Sequence, residues 1–170
     1  MAVSAAILPR ESALWAHFSP GDFIDCYRAT QVPPDMDMDT AVRTAILKMP
    51  EWVSLLMDMR NRIVGPLGLK AGKHSRQKTA ADKEEIEVKA HGERIVFAIR
   101  ERYENEIILG EDDKHLDFRV TIFRNDSGWY VSTWVHPHAW YGWAYLYTIM
   151  PFHKLIMKLS AKRLEAAARA

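Results

Sequence analysis

A single cysteine, Cys26, in 170 residues excludes an internal disulfide. It lies in an apolar, strand-like stretch, where a buried and unreactive thiol is expected. No sign of charge dominates: 23 basic residues face 22 acidic ones. No global field therefore draws the chain to phosphate backbones or acidic membranes, and nucleic acid is not an expected partner. The least polar stretch, Ala139 to Phe152, is shorter than the ~20 residues that cross a bilayer, so no membrane span is expected. A Gly-rich phosphate loop, a Gly-x-Ser-x-Gly elbow and a Cys-x-x-Cys pair are all missing, and with them the common catalytic signatures. Met1 to Pro9 has no basic leader before its short apolar run, so a cytoplasmic location is expected.

What is present is an ordinary globular composition, 48% hydrophobic and 26% charged, at a length that suits one domain. Residues 1–21 show no sustained period and end on a Ser19-Pro20-Gly21 turn signal, which reads as a loosely packed N-terminal arm. Asp22 to Val32 suits a first strand. Asp39 or Thr40 caps a helix from Ala41, and Pro50 opens a second helix with Trp52, Leu55, Leu56, Met59 and Ile63 on one stripe. Residues 67–91 read as a solvated loop with a short strand at Glu85 to Val88. Period-two alternation follows in Arg94 to Glu101, Glu106 to Leu109, Lys114 to Arg124 and Trp129 to His136. A long helix is expected from Trp140, with Tyr145, Ile149, Phe152, Ile156 and Leu159 inward and Pro151 kinking it.

Asn125-Asp126-Ser127-Gly128 is a hairpin turn, so paired residue numbers sum to a constant. Val120 then faces Thr133, Phe118 faces Val135 and Ile122 faces Val131 on a core face. The opposite face pairs Arg119 with Trp134, Asp117 with His136 and His115 with His138. An imidazole beside a carboxylate and a guanidinium over an indole can hold an anion or move a proton. Three uses of that second face stay open: a solvated sheet surface, the polar lining of a cavity, or a dimer interface on Phe123, Tyr130 and Trp134. His136-Pro137-His138 with His115 lacks a second well-spaced ligand pair, and Glu111-Asp112-Asp113 lacks calcium-loop spacing. No metal or cofactor is expected.

The order of elements, a strand, two short helices, antiparallel strands and a long C-terminal helix, resembles the helix-grip fold of the START-like (SRPBCC) superfamily. The residues Pro50-Glu51-Trp52-Val53, Gly68-Leu69-Lys70, Gly110 to Val120 and Pro151-Phe152-His153 are similar to a bacterial family of unknown function within it. Members are sometimes fused behind NAD-binding short-chain-dehydrogenase-like domains. This chain has no Gly-x-Gly-x-x-Gly unit, so such a partnership would join separate chains. The resemblance implies an α+β domain over residues 22–170, with an antiparallel curved sheet wrapped around the last helix and an apolar ligand between them.

Three functions follow as expectations. The first is binding of a lipid, polyketide-like or aromatic metabolite, walled by Phe118, Val120, Val135, Tyr145, Ile149 and Phe152, with Trp52 and Leu56 closing one end. The second is a cyclase, dehydratase or hydrolase that uses His136 with Asp117 as acid and base and Arg119 on an oxyanion, with His115 nearby. It requires those side chains to open onto the same space as the apolar wall. The third is an interaction subunit or homodimer acting through the outer sheet face.

Overall fold

A computed structural model describes residues 3–47, 85–90, 93–112 and 116–167, with backbone alone at 47, 85–90 and 93–97. The expected second helix with Trp52 and Leu56, residues 67–84 of the expected solvated loop, and His115 lie outside the described residues. The elements are β1 (Ser4–Ala5), a 3-10 helix (Ala13–His17), β2 (Phe23–Ala29), α1 (Met38–Val42) running into a π turn (Arg43–Leu47), β3 (Glu85–Ala90), β4 (Glu93–Arg102), β5 (Glu106–Asp112), β6 (Leu116–Asn125), β7 (Gly128–Pro137) and α2 (Trp140–Ala166). All strand pairs are antiparallel, and the sheet order is β1-β2-β7-β6-β5-β4-β3. This curved sheet with a long C-terminal helix is the helix-grip architecture.

The β6–β7 hairpin turns through Asp126-Ser127, with the Asn125 side chain accepting the Ser127 N–H and Gly128 at φ 140°. Only glycine adopts that φ without strain. The register places Asp117 opposite His136, Phe118 opposite Val135, Arg119 opposite Trp134, Val120 opposite Thr133 and Ile122 opposite Val131. Every pairing expected from the turn within the described residues is present.

One face of the sheet receives α2. Its main cluster joins Ala29, Ile99, Ile107, Leu109, Ile122, Trp129 and Val131 to Met157, Ala161 and Leu164, with Ala41, Val42 and Ala45 of α1 and the π turn. Small side chains at Ala29, Ala45 and Ala161 let the layers approach closely and seal this end. Glu165 fixes it further by accepting the N–H groups of Thr30 and Gln31.

The buried line of α2 runs through Gly142, Leu146, Met157, Ser160, Ala161 and Leu164. This corrects the expected inward stripe by about one residue, or roughly 100° of helix rotation. Phe152 is 38% exposed, while Tyr145, Ile149, Ile156 and Leu159 flank the buried line at intermediate depth. Apolar residues stand on every side of this helix, including Trp140 and Tyr147 in solvent, so periodicity alone gave a weak direction. The helix cap at α1 is also earlier than expected: Asp37, not Asp39 or Thr40, accepts the Thr40 N–H.

The other face is covered by the N-terminal arm, which is packed rather than loose. Leu8 and Leu14 are buried against Cys26, Ile108, Phe123, Tyr130 and Trp134. Each buried leucine contributes about 1.5–3 kcal/mol. Glu106 anchors the 3-10 helix, accepting from Ser12 Oγ at 2.5 Å, Ala13 N–H at 2.7 Å and Thr121 Oγ1 at 2.6 Å. Its carboxylate is 2% exposed, so those three donors replace its lost water. Phe123, Tyr130 and Trp134, one of whose three open uses was a dimer interface, are covered by the chain's own arm.

Replacing Glu106 with Gln sets an amide N–H₂ among three donors. The variant should lose about 2–3 kcal/mol in denaturant unfolding. Limited proteolysis should cut residues 3–18 while the β6–β7 hairpin stays protected.

Candidate functional site

The sheet's two faces carry different chemistry. On the arm face, a β-bulge between Ile99 and Glu101 inserts an extra residue in β4, and Arg100 and Glu101 both make contacts on that side. Arg119 crosses Gly110, its register partner, and reaches Asp112 at 2.6 Å, with its guanidinium 5.9 Å from the Trp134 ring. A Cβ at Gly110 would lie 2.8 Å from Arg119 Cδ and 2.1 Å from the Phe118 carbonyl, so this path needs glycine. Glu101 pairs with His17 at 2.7 Å and accepts from Tyr103 at 2.6 Å.

The expected Asp117–His136 contact is corrected. Although the two are directly opposite, His136 Nδ1 bonds Asp22 at 2.5 Å and Asp117 pairs with His138 at 3.0 Å. The diagonal neighbour is within reach of a cross-strand side chain, and Asp22 arrives from the loop before β2 to take His136. Asp22 also accepts from Trp134 Nε1 and the Ser19 N–H, and its side chain is 3% exposed. The His136 and Trp134 rings stack, and His138 and His17 lie against the two ends of that stack.

Burial pushes the Asp22 carboxyl up, but its bonds from His136, Ser19 and Trp134 outweigh this and hold it below the usual value. Burial likewise raises Asp112 and Glu101, and is outweighed by Arg119 for Asp112 and by Tyr103 and His17 for Glu101. Cys26, buried on the arm side, is pushed up to about 12 by burial, with the Asp25 charge adding to it. It is the inert thiol expected.

Arg119, Asp117 and His136 thus stand on the face turned away from α2. The acid–base mechanism expected for them needs a shared opening with the apolar wall, and the sheet separates the two.

On the helix face, Leu116, Val135 and Leu146 form a small buried cluster ringed by Phe23, Phe118, Trp143, Tyr145, Ile149 and Met150, all only partly buried. Phe118, Val135, Tyr145 and Ile149 therefore come together here; Val120 packs at the edge of the main cluster, and Phe152 lies outside. Tyr27, Val32 and Val120 are partly buried beside the main cluster too, but among the described residues at this end the partly buried apolar side chains outnumber the buried ones.

Two further residues meet here, neither of them among the expected site residues. Asp25 follows Phe23 by two in β2, in register with Thr133, and His153 extends from α2 toward it. Nε2 lies 3.4 Å from Oδ1 and 3.3 Å from Oδ2, and the imidazole meets the Phe23 ring edge-on at 5.8 Å. The two side chains are 13% and 16% exposed. The signal was legible in part: Asp25 falls between Phe23 and Tyr27 at period two, and His153 follows Leu146 by seven on the buried helical line.

Among the described residues no group of three His, Cys, Asp or Glu side chains is arranged to hold a metal ion, and no helix is long and apolar enough to cross a membrane.

Fold and site together describe a helix-grip domain whose described residues include a ring of partly buried apolar side chains at one end of the sheet–helix interface. The chain belongs to the family described as "Protein of unknown function (DUF2867)", whose model matches residues 18–160. That span holds Asp22, Asp25, His136 and His153 and begins just after His17. No curated protein and no solved structure matches the chain significantly.

Asp22, Glu101 and Asp112 are held below their ordinary values of 3.8, 4.5 and 3.8. In the acid range the unfolded chain then binds more protons than the folded one. The stability they contribute is present in full above those ordinary values and is lost as pH falls through the lowered ones. Denaturation midpoints taken from about pH 6 to about pH 2 should fall along this limb, and Asp22→Asn should flatten it. The Cys26 thiol should react with a disulfide reagent only after unfolding.

Proposed function

We propose that this protein binds an apolar small molecule, a lipid, polyketide-like or aromatic metabolite, between the sheet and the N-terminal half of α2. The observation that carries this reading is the contrast between the two ends of one interface. Alanines close the end near Ala161, while Phe23, Phe118, Trp143, Tyr145, Ile149 and Met150 remain partly uncovered around Val135 and Leu146. Large apolar side chains left half-open under a helix regain burial when an apolar molecule enters. The similarity to START-like proteins supports the same place, since that superfamily holds its ligands between sheet and last helix. The proposed setting is the cytoplasm, with the small molecule as partner and no nucleic acid, and the outer face given over to holding the arm.

Equilibrium dialysis with 2-methoxynaphthalene, an apolar bicyclic probe, should show saturable binding. Ile149→Arg, which sets a charge into the wall, should weaken it by about tenfold or more. Native mass spectrometry of gently purified protein should show an adduct that organic solvent extracts. Absence of saturable binding together with absence of any extractable compound contradicts the reading.

A further inference from the structure

Among the described residues most buried carboxylates are provided for, and Asp25 and Asp117 are the exceptions. Glu106 collects three hydrogen bonds, Asp22 collects three, and Glu165 accepts two backbone N–H groups. Asp25 has only the long contacts to His153. Its Oδ2 is shut off from solvent and has no hydrogen-bond partner; the 3.3 Å approach of Nε2 has ion-pair length without hydrogen-bond geometry. The hydroxyl of its register partner, Thr133 Oγ1, donates to Met157 Sδ at 3.2 Å. Ser132 Oγ, in β7 beside it, donates to the Asp25 backbone carbonyl rather than to the carboxylate. Asp117 Oδ1 is also unpartnered, but on the arm face, and its other oxygen pairs with His138 at 3.0 Å.

An unfilled carboxylate oxygen costs free energy unless something donates to it. Asp25 belongs to the helix-facing side of β2, and its neighbour two residues earlier, Phe23, is part of the half-open apolar ring. The His153 imidazole is braced edge-on against that same Phe23. A polar pair thus borders an apolar wall.

We propose that Asp25, held by His153, is the polar anchor of the ligand site, and that the ligand is an apolar molecule bearing a hydroxyl group that donates to Asp25 Oδ2. The inference rests on the apolar-ligand reading above and adds the ligand's polar end. The rings or chain of such a molecule lie against Phe118, Val135 and Ile149, and its phenolic or alcoholic oxygen comes beside Oδ2, which is closed off in the free chain, as the Phe23 and His153 side chains give way to admit it. His153 acts as a positioning residue: its contacts with both carboxylate oxygens and its packing on Phe23 fix the direction in which Oδ2 accepts.

The test compares 2-naphthol with 2-methoxynaphthalene, the same ring system with its hydroxyl hydrogen replaced by methyl, by equilibrium dialysis against the full chain. Wild type should bind 2-naphthol at least about tenfold more tightly, as expected for one hydrogen bond to a charged acceptor. Asp25→Leu, which keeps the side chain's size and removes both oxygens, should erase the preference and leave 2-methoxynaphthalene binding equal or tighter. His153→Phe keeps the ring on Phe23 and should reduce the preference; it also serves if Asp25→Leu does not fold. Equal binding of the two probes by wild type overturns the anchor while leaving the apolar-ligand reading standing, as does a preference that survives both substitutions. Failure of both probes to bind, with no extractable compound on the purified protein, overturns the two together, and an extractable compound that lacks a hydroxyl group overturns the anchor alone.

Discussion

Two residues, Asp126 and Ser127, set which side of this protein every neighbouring side chain belongs to. Because the hairpin closes in two residues, Arg119 must lie across from Trp134 and Phe118 across from Val135. A slip of one residue would send each to the other face. β2 and β5 then pair onto β7 and β6 in the same phase, so Asp25, Tyr27, Ile107 and Leu109 join the helix side while Cys26, Ile108 and Glu106 join the arm side. Gly128, with its positive φ and a backbone that passes close to Ala29, is what lets the strand restart in phase.

The two faces solve burial differently. On the arm side a segment with little secondary structure of its own is tied down by polar bonds: Glu106 to the 3-10 helix, His17 to Glu101, and Asp22 to Trp134 and His136. These bonds satisfy the groups they bury, and Leu8 and Leu14 supply the apolar contact. On the helix side, alanine-lined close packing holds one end and bulky, half-covered side chains the other. Polar groups are matched around Glu106 on the first face, but Asp117 Oδ1 and Arg119 Nε there, and Asp25 Oδ2 on the second, lack hydrogen-bond partners. At such points rules of good packing break locally, and such breaks concentrate where a protein binds something.

The strand order within the hairpin, its register, the cation–π contact of Arg119 with Trp134 and the start of α2 at Trp140 were all legible in the sequence, because each depends on local period and turn chemistry. The rest depended on contacts between distant segments. Nothing in residues 1–21 has a period that announces Leu8 and Leu14 as core; they are buried because the sheet offers Phe123, Tyr130 and Trp134 to cover. Asp117 was rightly placed opposite His136, yet Asp22, from a loop more than a hundred positions earlier in the chain, holds that imidazole. The rotation of α2 was misjudged because its aromatics surround it. That error hid His153, which only the true buried line brings to Asp25.

The proposed ligand enters at the helix face alone. Methyl chemical shifts of the isoleucine, leucine and valine side chains, followed by NMR while 2-naphthol is added, test this most directly. Shifts should move at Leu116, Val135, Leu146 and Ile149 and stay still at Leu8, Leu14 and Ile108. Movement at the arm-side methyls with none at Val135 and Leu146 would contradict it.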